Sequence, residues 1–361
     1  MSHGPLPAGD LFALTAALVD VPSESYSEEL ITDLLEADLR GAGHLSVERV
    51  GDNLVARTRL GLGRRILLAG HTDTVLANDN AGARVDGDVL WGLGAADMKG
   101  GVAVMLTLAR SLTVPAVDVT YVFYAREEVD AADNGLLEVA AARPDLLEAD
   151  VALLGEPTGG AVEAGCQGTM RLKVTLTGER AHTARPWMGR NAIHRLADVL
   201  AAVSAYEARR PVVQGCEYRE ALQAVAVSGG VAGNVVPDTT TLTLNHRFAP
   251  DRTPEQAEQH MRSLLDPLLE STDAVELTDV APAAAPGLDD PLVAALIRRS
   301  GAPVRAKLGW TDAAFFAARG VPASNFGPGD PRMAHTAGER VHREELVSVH
   351  AALEGLLTDG A

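Results

Sequence analysis

The chain is 361 residues long, 47% apolar, and carries a formal net charge of −18. One hydrophobic core would be unusually large at that length, so two domains are expected, and the composition is that of a globular protein, not a disordered one. The acidic balance argues against nucleic acid, which needs a basic patch, and no run approaches the roughly 18 apolar residues of a membrane span.

The start, Met1-Ser2-His3-Gly4-Pro5, lacks a basic residue followed by an apolar run, so no secretory signal is expected. With Cys166 and Cys216 as its only cysteines, the chain reads as a cytoplasmic protein with a reduced pair.

Leucines at helical spacing predict helices over residues 11–20 and 28–39. Arg65-Ile66-Leu67-Leu68-Ala69-Gly70 then reads as a buried strand delivering His71 to a loop. A helix over Val102 to Leu112 precedes a second buried strand, Val117 to Tyr124, which opens onto Glu127 and Glu128. Asp150-Val151-Ala152-Leu153-Leu154 repeats the device and opens onto Glu156. Strands alternating with helices predict an α/β sheet whose ligands bind beyond the strand ends.

The middle of the chain changes period. Arg171 to Thr177 alternates as a strand with one wet face does, and a helix follows from Ala192 to about Ala208. Val225 to Val227, Thr239 to Arg247, a Pro-started helix from Pro254 and Val275 to Leu277 complete a strand-helix-strand-strand-helix-strand series. That order predicts a ferredoxin-like α+β unit over residues 168–279. Ala281 to Gly287 reads as a return linker, after which helices near 291–300, 312–318 and 344–357 rejoin the first domain, residues 1–167 and 280–361.

Chemistry concentrates at His71-Thr72-Asp73, Asp97-Met98-Lys99-Gly100-Gly101, Glu127-Glu128, Gly155-Glu156-Pro157 and His335. Each has an ordinary explanation: a polar turn, a solvated acidic pair, a surface histidine. Gly92-Leu93-Gly94-Ala95-Ala96-Asp97 is no dinucleotide fingerprint, because Asp97 occupies the third glycine position. As an ordered set, two imidazoles and several carboxylates beside strand ends suit a pair of divalent ions. Zinc fits that donor set, with cobalt or manganese as alternatives. Asp73 is placed to orient His71 from behind. Arg171, Arg185 and Arg247 are candidates for a local positive field that takes a small anionic substrate.

In motif order the chain resembles the zinc-dependent amidohydrolases and peptidases that include aminoacylase, carboxypeptidase G, acetylornithine deacetylase and succinyl-diaminopimelate desuccinylase. Within that family it resembles the actinobacterial desuccinylase branch. Leu154-Gly155-Glu156-Pro157-Thr158, Glu163 to Thr169, Gly233 to Asp238, Arg247 to Arg252, Gly309-Trp310-Thr311-Asp312 and Phe326 to Pro331 carry this likeness. Arg126, before the glutamate pair, and Val129-Asp130 after it depart from the family pattern.

The resemblance implies that His71 and Glu156 bind one ion, Glu128 and His335 the other, and that Asp97 bridges them. It implies Glu127 as general base, Asp73 behind His71, and His182 as an oxyanion donor. Asn234, Arg247, Arg171, Arg185, Thr169 and Gly327 would contact an N-acyl amino-acid substrate. It further implies a homodimer joined through a lid formed by the α+β segment. The expected reaction is hydrolysis of N-succinyl-LL-2,6-diaminopimelate. Another deacylase of the family, a dipeptidase, or a non-catalytic metal- or peptide-binding protein are the alternatives.

Overall fold

The computed structural model describes residues 4–361. Met1–His3, on which the expectation of no secretory signal partly rests, lie outside the described residues. The fold divides into two compact units. The first comprises Met1–Ala164, Pro286–Arg305 and Phe315–Ala361, and the second Gly165–Ala285 and Ala306–Ala314. Residues 306–314, expected in the first domain, thus pack with the second. No described helix is long and apolar enough to cross a membrane.

The first unit is built on an eight-stranded mixed sheet. Its centre holds the parallel strands Asp118–Tyr124, Arg65–His71, Val151–Leu154 and Ala323–Asn325, in that spatial order. Asp118–Tyr124 and Val151–Leu154 are buried at every position. This is why, Asp118 and Thr120 apart, they read as apolar runs: helices cover both faces of a parallel sheet. The helices Leu11–Val19, Lys99–Ser111, Pro291–Ser300 and Arg343–Asp359 supply Leu18, Val104, Leu108, Leu296, Leu353 and Leu356 to one continuous core. Because the central strands are parallel, their C-terminal ends open on one side, where His71, Glu127, Glu156 and Gly327 follow them.

The second unit carries a four-stranded antiparallel sheet formed by Gly168–Thr177, Ala221–Gly229, Thr239–Phe248 and Ala274–Ala281. Numbered by chain order, the strands lie 2-3-1-4 across the sheet, and the connections supply the helices Ala192–Ser204 and Pro254–Leu265. That is the ferredoxin-like arrangement. Thr253 and Gln256 form a reciprocal capping box at the start of the Pro254 helix, satisfying amides that the first turn leaves open. Met170, Leu172, Val174 and Leu176 meet Leu196, Val199, Met261 and Leu265 in a separate core. Cys166 and Cys216 are both free thiols.

His246 is fully buried in that unit, with Nδ1 3.0 Å from the Ala221 carbonyl. Burial pushes its pKa down to about 4, whereas the unfolded value is near 6.5. Between those two values the unfolded chain holds a proton that the native chain refuses, so stability falls as pH drops through this window. About 2 kcal/mol of stability should be lost from this source between pH 7.5 and pH 5. Urea unfolding at the two pH values should show a smaller loss in His246→Phe than in the native chain. Equal losses would rule out His246 as the origin.

Candidate metal centre and active site

The site begins with the strand ends of the first unit. His71 closes its strand with its ring 1% exposed, Nδ1 3.0 Å from the Asp73 carbonyl and Nε2 3.1 Å from Asp97 Oδ1. The carbonyl contact fixes Nδ1 as the protonated nitrogen when the ring is neutral, leaving Nε2 as a ligand lone pair directed at Asp97. Asp73 does more than back His71. Its Oδ1 accepts from Glu127 N at 3.0 Å and its Oδ2 from Glu128 N at 3.1 Å and from the Ser25 hydroxyl at 2.8 Å. One buried carboxylate therefore sets the turn that carries both glutamates. Burial works against its charge, but His71 and these two amides outweigh it and hold the pKa at about 2.

The His335 ring, about half exposed, places Nε2 2.8 Å from Glu128 Oε1 and 3.7 Å from Asp97 Oδ2. His71, Asp97 and Glu156 can each present one ligand atom within 4.8 Å of the others, and so can Asp97, Glu128 and His335. The two triads share Asp97. A third set, His71, Glu127 and Glu128, meets the same limit.

The donor set fits divalent ions on physical grounds. The hydrogen bond to Glu128, with the charges of Glu128 and Asp97 behind it, raises the His335 pKa to about 9. Burial opposes protonation of His71, yet its bonds to Asp73 and Asp97 raise its pKa well above the ordinary value. Both imidazoles thus sit where positive charge is stabilised, and imidazole nitrogen with carboxylate oxygen is the ligand chemistry of zinc and its first-row neighbours.

Tight packing brings the ligand loops together. A Cβ on Gly101 would lie 2.2 Å from the Gly155 carbonyl oxygen, so only glycine lets the helix behind Asp97 close on the loop that carries Glu156. Arg126, whose position beside the glutamates was unexpected, adopts a left-handed φ of 61°. Its guanidinium lies 2.5 Å from Glu138 and 2.8 Å from the Asp133 carbonyl. Its charge is answered by Glu138, away from the ligand atoms.

Gly327 donates its N–H to the Thr158 hydroxyl, and its carbonyl accepts from that hydroxyl and from Gly160 N. Its backbone polar groups thus have partners within the fold. A Cβ there would meet the Gly155 oxygen at 2.2 Å, so close packing explains the glycine.

In the second unit, Thr169 and Arg171 lie on one strand opposite Arg247 and Asn245 on the next. Arg171 pairs with Asp279 at 3.1 Å and is mostly exposed. Thr169 Oγ1 accepts from Asn245 Nδ2 at 3.1 Å; Asn245 was not singled out from sequence, and only the cross-strand register reveals it. Arg247 is half-buried, and burial, followed by the Arg171 charge, pushes its pKa below the ordinary value. Among the described residues no carboxylate pairs with it. Exposed His182 accepts from Ala184 N at Nδ1, at 3.0 Å, so its neutral ring carries the proton on Nε2. Its loop is stapled to the Asn234 segment by Thr183 N to the Asn234 carbonyl, at 3.0 Å, and Val236 N to the Ala181 carbonyl, at 2.8 Å. Arg185 is exposed in the same loop.

Peptidase family M20/M25/M40 matches residues 67–359, which include every ligand candidate from His71 to His335. The chain belongs to this family. Membership makes it a metal-dependent hydrolase. This M20-family chain is 44% identical to the succinyl-diaminopimelate desuccinylase of Corynebacterium glutamicum, over 97% of both chains. It is 52% identical to a Mycobacterium tuberculosis protein provisionally given the same name, over 92% of this chain and 94% of that one. A tripeptidase from Staphylococcus aureus shares the fold, with a TM-score of 0.78 at 21% identity, covering 98% of this chain and 99% of that one. So does the Bacillus subtilis YxeP protein, described as a dinuclear metal-binding M20 peptidase, with a TM-score of 0.72 at 15% identity and 96% coverage of both.

Proposed function

We propose that this chain hydrolyses N-succinyl-LL-2,6-diaminopimelate to succinate and LL-2,6-diaminopimelate, using two divalent ions, zinc first among them. The observation that carries the reading is the pair of imidazole–carboxylate triads joined at Asp97, with Glu127 outside both. The identity to desuccinylases along nearly the whole chain supplies the substrate. His71, Asp97 and Glu156 would hold one ion and Asp97, Glu128 and His335 the other. When bound, such ions polarise a carbonyl and bring the pKa of water down toward ~7.

The chain's own groups then have these tasks. Glu127 takes a proton from water as the water oxygen bonds to the succinyl carbonyl carbon, and passes it to the amine nitrogen as the C–N bond breaks. Asp73 keeps the Glu127–Glu128 turn in place through its two amide bonds. His182 donates from Nε2 to the oxyanion. Arg247, a partly desolvated cation without a carboxylate partner among the described residues, takes a substrate carboxylate, with Asn234, Arg185 and Thr169 completing the polar contacts. Arg171 contributes long-range charge, since Asp279 already pairs with it.

The same reading makes the protein a homodimer joined through the second unit, which acts as a lid. Its support is the edge strand Ala221–Gly229, which lies at one side of its sheet and exposes Val225 at 56% and Val227 at 57%. An exposed, apolar edge is a template for strand pairing across a two-fold axis.

Turnover of N-succinyl and N-acetyl amino acids by the zinc-loaded protein tests the function. N-succinyl-LL-diaminopimelate should be cleaved ~10²-fold or more faster than N-acetylornithine, which lacks both the acyl carboxylate and the distal one and so leaves the groups that take them unpaired. Arg247→Ala should mainly raise KM. Comparable turnover of the two compounds would make the chain a deacylase of broader or different specificity, and no turnover of either would favour a binding protein.

A further inference from the structure

The buried carboxylate of Glu339 stands outside all the roles assigned above. It is 1% exposed, and one of its oxygens accepts from Ala96 N at 3.1 Å and Asp97 N at 3.0 Å. Its backbone carbonyl accepts from Gly92 N at 3.1 Å, and its own N–H donates to the Thr336 carbonyl at 3.1 Å. Thr336 is tied to the same loop by a second route, because its carbonyl also accepts from Asn80 Nδ2 at 3.1 Å while Leu93 N donates to the Asn80 carbonyl at 2.7 Å. The loop from Gly92 to Asp97 is therefore stapled to the turn that begins at His335.

This geometry has a consequence for Asp97. Its two oxygens lie near two different imidazoles, at 3.1 Å from His71 and 3.7 Å from His335, so its backbone must be fixed in both position and tilt. Two successive amides converging on one carboxylate oxygen define the peptide plane from which the Asp97 side chain leaves. The residue holding them lies four positions after His335 in the same short turn. One side chain thus sets the spacing between a residue of both triads and the imidazole of one.

We infer that Glu339 is a positioning residue that clamps the Asp97 loop to the His335 turn and so builds the two-ion site to its spacing. This rests on the ligand assignment proposed above. Supporting groups behind metal ligands typically change metal affinity by ~10–100-fold when removed.

The test is a zinc titration of the full-length protein, stripped of metal, against a competing chelator of known affinity, for native Glu339 and for Glu339→Ala, Glu339→Asp and Glu339→Gln. Thermal melting of the stripped proteins is followed in parallel, and turnover of the succinyl substrate is recorded separately. Zinc affinity should fall ~10-fold or more in Glu339→Ala and in Glu339→Asp, whose shorter side chain withdraws the oxygen from both amides. Glu339→Gln keeps a carbonyl acceptor of the right length and should recover most of the loss. Unchanged affinity in the Asp variant, or in a folded Ala variant, overturns the clamp, as does a lowered melting temperature with native affinity. Should the Ala variant fail to fold, the Asp and Gln pair decides alone. Lost affinity in a protein that never cleaves the succinyl substrate would overturn the proposed function and leave the clamp standing.

Discussion

Replacing Glu127 with alanine is expected to lower kcat by ~10²–10⁴-fold, the usual contribution of a positioned proton-transfer group, while zinc content stays at the native level. The reason is geometric: the two triads that share Asp97 are complete without Glu127. Its backbone amide bonds to Asp73 at 3.0 Å and survives the substitution, so the turn carrying Glu128 stays in place. Zinc analysis and steady-state kinetics on the same sample decide the matter. Loss of metal together with activity would mean that Glu127 belongs to a ligand set, as the His71–Glu127–Glu128 grouping allows. The variant also tests the dimer. Mixed with His182→Ala under conditions of proven subunit exchange, it should recover part of the activity if His182 serves the partner's site. No recovery would assign His182 to its own subunit or remove it from catalysis.

Replacing Asp97 with alanine should have the larger effect on metal. Asp97 is the one residue common to both triads, so its loss weakens both ions together, by more than the ~10–100-fold typical of groups behind the ligands. Activity should fall to background. Glu156→Ala and His335→Ala, each in one triad only, should each weaken one ion and spare the other. Zinc stoichiometry by chelator competition separates these outcomes. An Asp97 variant that retained one ion at native affinity would contradict a bridging position.

Much of this was legible in the residues. Leu67, Leu68 and Ala69, Val119 to Tyr124 with Thr120 as the one polar side chain, and Val151 to Leu154 form apolar runs, as a parallel sheet covered on both faces demands. The second unit was legible through its change of period, since a half-solvated sheet alternates polar and apolar side chains, as Gly168–Thr177 does. The ligand candidates were legible because imidazoles and carboxylates recur just beyond such strands.

What escaped the sequence depended on partners far along the chain. The hairpin of Ser46–Val50 and Asn53–Arg57 mixes Glu48 and Arg49 with Val47 and Leu54, so neither period is clear. It becomes sheet because Leu54 to Arg57 pair with Thr120 to Phe123. Residues 306–314 join the second unit through contacts such as Gln167 Nε2 to the Leu308 carbonyl at 2.9 Å and Trp310 Nε1 to the Pro282 carbonyl at 3.2 Å. The role of Asp73 in holding the glutamate turn, the diversion of Arg126 to Glu138 and the grip of Glu339 on Asp97 likewise span 54, 12 and 242 positions. Residue type and local period determine which elements form and which side chains are chemically able. The direction in which a ligand's lone pair finally points is set by hydrogen bonds to backbone brought close only by folding, and those leave no local mark on the chain.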